Sequence, residues 1–273
     1  MSNVSAIYYF STTGNSLAVA LELAGKMGAP EPISIPGTYI LDDPYEAARH
    51  ADQVGFVFPV HRAGLPEMVR GFIQRMPLRQ DCYYFAVSTF TLFGCNEFCD
   101  VDDILASHGC WLNYATAVKT MGNVGLLAPD TQLINHRLRQ ISQQVDEIAE
   151  AVSNYQENSF KRSSKILGKL GRFYANRRRH SIVFKVDKSC RKCGICVLVC
   201  PAKNIVLAPD ANNVIAPIRS NKCEACLACL HWCPANAIGT KTRLHTHYHH
   251  PNIRPEQLNP VQSELEKTGE NTS

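Results

Sequence analysis

Eight of the chain's twelve cysteines are one string written twice. Cys190, Cys193, Cys196 and Cys200-Pro201 spell C-x2-C-x2-C-x3-C-P, and Cys223, Cys226, Cys229 and Cys233-Pro234 spell it again. Two-residue spacers let one tight turn set three thiolates around a single iron–sulfur cubane. The fourth cysteine opens the next segment, points away and reaches the other cubane instead. The spacing therefore predicts two [4Fe–4S] clusters. Cluster one takes Cys190, Cys193, Cys196 and Cys233; cluster two takes Cys223, Cys226, Cys229 and Cys200. A proline after each fourth cysteine turns the chain and leaves one fewer amide to satisfy. Gly194 suits a backbone packed close to inorganic sulfide. Zinc is a competing reading, but tetrahedral zinc sites draw on paired cysteines rather than interleaved three-plus-one sets. Disulfides compete too, yet the N-terminal residues lack the basic flank and long apolar stretch of a secretory signal. Metal binding in a cytoplasmic protein is the expectation, and no transmembrane segment is expected.

At 273 residues the chain has room for two folded units. Its charge divides it. Residues 1–160 hold 9 Lys/Arg against 17 Asp/Glu, whereas residues 161–180 hold 8 basic residues and no acid. The expected organisation is a first domain over 1–158, a basic linker over 159–180, the cysteine domain over 181–240 and a polar tail over 241–273. In the first domain, short runs rich in β-branched and aromatic residues read as buried strands at 4–10, 53–60, 83–88 and 111–118, with a short one near 32–36. Helical patterns stand between them, at 17–24, 43–50, 65–76 and 97–108, and a long helix at 130–155 closes the domain. Strands alternating with helices predict an α/β fold, a doubly wound parallel sheet covered on both faces. The tail beyond Leu244 is polar and broken by proline, so loose order is expected there.

The first strand ends in Ser11, Thr12, Thr13, Gly14, Asn15 and Ser16 and leads into a helix. Helix N-terminal amides with several hydroxyls can hold a phosphate dianion without Lys or Arg. Ordinary caps and turns use the same residues, but nucleotides sit at the carboxyl ends of strands in open α/β sheets. Residues 4–155 as a whole resemble a flavodoxin, and residues 186–240 resemble a two-cluster bacterial ferredoxin. The combination resembles the flavodoxin–ferredoxin fusion proteins, and the run Arg243 to Pro251 resembles a segment that follows the clusters in that family. The resemblance implies FMN on the phosphate loop and two loops gripping its ring. Those loops correspond to Pro59, Val60, His61, Arg62 and Gly64, and to Thr89, Phe90, Thr91, Phe93, Gly94 and Asn96. Phe90 and Phe93 are candidates to stack on the ring, with core packing as their ordinary role.

The function expected is electron transfer between the clusters and FMN and on to a redox protein partner. Two alternatives stand beside it: a flavin-dependent reductase of a small acceptor such as a quinone, and a cluster-based redox or oxygen sensor whose first domain lacks flavin. No catalytic residue is assigned, although His61 is a candidate acid. Arg62 beside a reduced flavin would raise its potential. Cys82, Cys95, Cys99 and Cys110 read as free thiols, and His245, His247, His249 and His250 as a polar tail or a cap over the clusters. The basic linker suits docking on the acidic first domain, contact with an anionic membrane, or an acidic partner. Nucleic acid is not expected, because no binding motif accompanies the charge. Lys185, Lys188, Lys192, Lys203, Arg219 and Lys222 make the cysteine domain basic, unlike the commonly acidic small ferredoxins.

Overall fold

A computed structural model describes residues 4–39, 41–61, 64–91, 96–121, 131–160, 185–209, 213, 215–239 and 247–259. Most of the basic linker (161–180), residues 181–184, Arg62, Phe93, Gly94, Cys95 and His245 lie outside the described residues.

Five parallel strands form the first sheet: β1 (Ser5–Tyr9), β2 (Ile33–Ser34), β3 (Gln53–Pro59), β4 (Tyr83–Phe90) and β5 (Leu112–Lys119). Their order is β2-β1-β3-β4-β5, the flavodoxin-like arrangement, in which the strand order reverses beside β1. The central strands β1, β3 and β4 are buried along almost their whole length, as a parallel sheet covered by helices requires.

Each face has its own core. Helices α1 (Asn15–Met27) and α6 (Thr131–Ser153) cover one side, with Leu17, Ala20, Leu23, Val145 and Val152 packed on Ile7, Tyr9, Val57 and Val87. On the other side α2 (Ile35–Thr38), α3 (Glu46–His50), α4 (Glu67–Arg75) and α5 (Glu97–Ala106) pack Ile35, Ala48, Phe72, Ile73 and Leu105 against Tyr8, Phe56 and Ala86. Leu, Ala and Val at helical spacing supply α1's apolar stripe.

The cysteine domain is a small α+β unit built as a pseudo-symmetric pair. Strand β6 (Lys185–Val186) pairs with β9 (Ile238–Gly239), and β7 (Ile205–Pro209) pairs with β8 (Ile215–Arg219), both antiparallel. One helical turn carries the third cysteine of each string: α7 (Ile195–Leu198) holds Cys196 and α8 (Ala228–His231) holds Cys229.

The expectation of a loosely ordered tail does not hold for residues 247–259. Tyr248, His250, Ile253 and Leu258 are buried, and a short helix α9 (Pro255–Leu258) carries Leu258 into the core beneath α1. Val199, Ala228 and Trp232 of the cysteine domain join that same core. The two domains and the tail thus share one hydrophobic cluster. Among the described residues no helix is long and apolar enough to cross a membrane.

Candidate functional site

The two cysteine strings close around two cavities. Cys190, Cys193, Cys196 and Cys233 line one. Cys200, Cys223, Cys226 and Cys229 line the other. Each cavity thus receives three thiols from one loop and the fourth from the opposite repeat. Among the described residues no three His, Cys, Asp or Glu side chains converge as a single-ion site needs; the thiols stand around a space instead.

Backbone conformation explains how the loops achieve this. Lys192 and Gly194 of the first repeat hold φ of 56° and 78°, and their counterparts Ala225 and Leu227 hold 54° and 63°. Lys203 and Asn236, three residues after the fourth cysteines, match again at 47° and 50°. A branched residue such as Leu227 at positive φ costs about 1–3 kcal/mol, strain that persists at ligand sites where the surroundings over-determine it. Amides point at sulfur in both repeats: Asn204 N donates to Cys200 Sγ and Ala237 N to Cys233 Sγ, each at 3.3 Å. Such bonds favour the thiolate form. Against them, burial pushes Cys196 up to about 11 and Cys229 up to about 12, with neighbouring thiols adding to both. As free thiols Cys196 and Cys229 are therefore protonated at neutral pH, and binding iron through them must release protons.

The loop 11–16 sits where β1 hands over to α1. Gly14 adopts φ 90°, and α1 begins without a side-chain cap, leaving its first amides available to an anion. Ser11 Oγ is buried without a hydrogen-bond partner among the described residues, a state that normally signals an absent ligand or water. Ser16 Oγ pairs with Thr89 Oγ1 at 2.8 Å, tying this loop to the one after β4. The Asn15 side chain is committed elsewhere: it donates to Met121 O at 3.1 Å and to Thr120 Oγ1, and accepts from Tyr248 Oη.

The other two loops flank it. His61 and Gly64 exchange backbone hydrogen bonds of 3.0 Å, closing a tight turn after Pro59 and Val60, and Val60 N reaches Thr89 O. The His61 ring meets Phe10 edge-on at 5.6 Å. Phe90 O accepts from Thr120 N, so Phe90, the last residue of β4, and Thr91 after it stand beside the end of β5. Asn96 precedes α5 with a buried, unpartnered Oδ1. The described ends of the loops after β1, β3 and β4 therefore meet at one end of the sheet. Sequence reading missed the acids beneath them. Glu97 is buried against Ser88 Oγ, and buried Asp100 accepts from Arg70 at 2.6 Å. Their position three apart on α5 is the only signal the sequence carries for them.

A second group missed by the sequence joins the loop to the cysteine domain. Trp232, the neighbour of Cys233, is 6% exposed and donates from Nε1 to Thr12 O at 2.8 Å. His250 N donates to Thr13 O at 2.7 Å. His249 stacks on the Trp232 indole, with centroids 4.1 Å apart and planes inclined by 13°. Buried His231 accepts from Tyr248 N at Nδ1, and burial lowers its pKa to about 4. His247, His249 and His250 are packing and hydrogen-bonding groups.

Residues 189–237 match the model of a 4Fe–4S dicluster domain. No functionally curated protein aligns significantly with the chain. Among solved structures, a flavodoxin, WrbA-like protein from Agrobacterium tumefaciens aligns at 15% identity over 56% of this chain and 99% of its own, with a TM-score of 0.38. The Trp repressor binding protein from Bacillus subtilis aligns at 13% identity over 59% and 99%, with a TM-score of 0.40. A Streptococcus pneumoniae flavodoxin aligns at 18% over 53% and 99%, at 0.33. The strand order, rather than these distant likenesses, defines the first domain as flavodoxin-like. Behind it stands the segment that matches the 4Fe–4S dicluster model.

Proposed function

We propose that the chain is an iron–sulfur flavoprotein that moves electrons between two [4Fe–4S] clusters and FMN and on to a redox protein. The residues suit these groups. Eight thiols stand four and four around two cavities, and an uncapped helix start with the buried, unpartnered Ser11 hydroxyl suits a phosphate. Bound there, the clusters supply single electrons and the flavin one or two, so one chain can join single-electron and pair chemistry.

The observation that carries the reading is the Trp232–Thr12 hydrogen bond. It sets a residue covalently next to a cluster ligand directly on the phosphate loop. The first domain and the cysteine module are therefore docked at the proposed cofactor sites rather than joined only by a linker. Cys190, Cys193, Cys196 and Cys233 hold cluster one, and Cys200, Cys223, Cys226 and Cys229 hold cluster two. The loop 11–16 holds the phosphate, and the loops carrying His61 and Phe90 flank the ring. Lysines and arginines on the cysteine domain favour a partner with an acidic face.

Anaerobic purification, an optical spectrum, and iron, sulfide and flavin assays per chain test this. About eight irons with about one FMN are expected. Eight irons without flavin, even after reconstitution, would remove the flavin half and favour a sensor.

A further inference from the structure

The run His247-Tyr248-His249-His250 is used by neither cofactor site, yet it is packed on both sides. His247 Nδ1 lies 2.7 Å from Leu230 O, and His249 stacks on Trp232, so the odd positions rest on the cysteine module. Tyr248 Oη donates to Asn15 Oδ1 at 3.0 Å and His250 N to Thr13 O at 2.7 Å, so the even positions reach the loop 11–16. Farther on, Ile253 and Leu258 enter the core that contains Leu17 and Ala20 of α1, while Asn259 Nδ2 donates to Leu198 O.

These contacts fix the loop's peptide planes. None of the described peptide bonds is cis, so the carbonyl of each residue and the following N–H point in opposite directions. Trp232 holds Thr12 O, and His250 holds Thr13 O, on the side facing the module. The N–H groups of Thr13 and Gly14 are thereby turned to the opposite side. Gly14, at φ 90°, has no space behind it: a Cβ would meet His250 Cβ at 2.9 Å.

We propose that residues 247–259 and Trp232 form a brace that holds the loop 11–16 in its anion-binding shape, so that affinity for the phosphate of FMN depends on the docked cysteine module. The inference rests on the FMN reading above. A loop that adopts its binding shape only part of the time binds more weakly in proportion to that fraction. Linkage makes the effect reciprocal: bound FMN holds the module and the tail in place.

The test titrates FMN and riboflavin, which lacks the phosphate, into the cluster-loaded, flavin-free full chain and follows flavin fluorescence. Wild type, Trp232→Phe and Tyr248→Phe are compared. Each substitution removes one hydrogen bond of the brace while keeping an aromatic ring, and should weaken FMN binding by about 2- to 12-fold. Riboflavin affinity should not change. If Trp232→Phe fails to keep its cluster absorbance, Tyr248→Phe decides, because Tyr248 lies outside the cysteine strings. Variants that bind FMN as tightly as wild type, or that lose FMN and riboflavin affinity equally, overturn the brace. A wild type that binds no FMN overturns the FMN reading and the brace with it, and is recognised by the absence of quenching in the wild-type titration.

Discussion

Gly14→Ala strikes the point where the brace presses on the loop. Two costs add. A residue with a Cβ in left-handed backbone loses about 1–2 kcal/mol. The new methyl would stand 2.9 Å from His250 Cβ and 3.0 Å from Ile253 Cβ, and overpacking of that kind costs about 1–3 kcal/mol. The sum is about 2–5 kcal/mol, which for a domain of this size lowers Tm by about 4–20 °C. The steric part belongs to the tail alone. In a chain ending at Thr246 it vanishes, and the substitution costs only the conformational part. Thermal unfolding of the four proteins, with hydrogen exchange across residues 247–259, measures both. Expected is a larger loss in the full chain and faster exchange of the tail amides in Gly14→Ala. Equal losses in full and shortened chains would refute the contact between tail and loop, and no loss in either would refute the strain at Gly14 as well.

Interleaved ligation makes a prediction that in-sequence ligation does not. The double substitution Cys190→Ser/Cys233→Ser touches one cavity, so about half of roughly eight irons should remain; ligation within each string would leave both clusters impaired and little iron. Tail docking should weaken in acid. Burial lowers His250 to about 4 from an ordinary 6.5, and its Nδ1 accepts from Asn252 N. The unfolded tail then takes up a proton that the docked tail refuses, so stability is unaffected above pH 6.5, declines as pH falls from 6.5 to 4, and levels off below; His250→Gln should flatten that part of a melting-temperature profile. Arg70→Met leaves the carboxylate of Asp100 buried without its ion pair, at a cost near the lower end of about 3–5 kcal/mol because Arg70 keeps some solvent contact, read as a drop in the denaturant midpoint.

What the sequence disclosed follows the range of the interactions involved. Strands β1, β3 and β4 are buried on both faces, so their apolar runs were visible without any partner. The cysteine loops are local devices whose spacing carries the geometry, and the loop 11–16 is a local hand-over from strand to helix. The brace is the opposite case. Tyr248 finds Asn15, and Tyr9 Oη finds Gln257 O, across more than 200 residues of chain. Its first residues are histidines and a tyrosine, and the Tyr248 hydroxyl is satisfied only by a group 233 residues away, so the composition resembled a solvated tail. The buried acids on α5 are a further case of a long-range partner. Asp102 is buried because it accepts from Leu112 N at 3.0 Å, a partner that helical periodicity does not reveal.

The cysteine domain's own core explains why docking matters to it. That core consists of Cys196, Cys200, Ile205, Leu230 and Ile238, and two of the five are thiols assigned to clusters. A unit of this size buries too little apolar surface to stand without metal or a partner surface. The first domain gives it that partner surface, since Val199, Ala228 and Trp232 are embedded in its core, and the proposed clusters would supply the metal. Stripping the clusters with a chelator under reducing conditions should then loosen the module, release His247 and His249 from Leu230 and Trp232, and free the tail. The five-stranded sheet, with its two separate cores, should persist. Hydrogen exchange before and after iron removal reads this directly: protection should fall across residues 185–239 and 247–259 and in the loop 11–16, and remain in β1, β3 and β4. Tail amides that stay protected without iron would mean that the tail docks on the first domain by itself, and that iron has no hold on the phosphate loop.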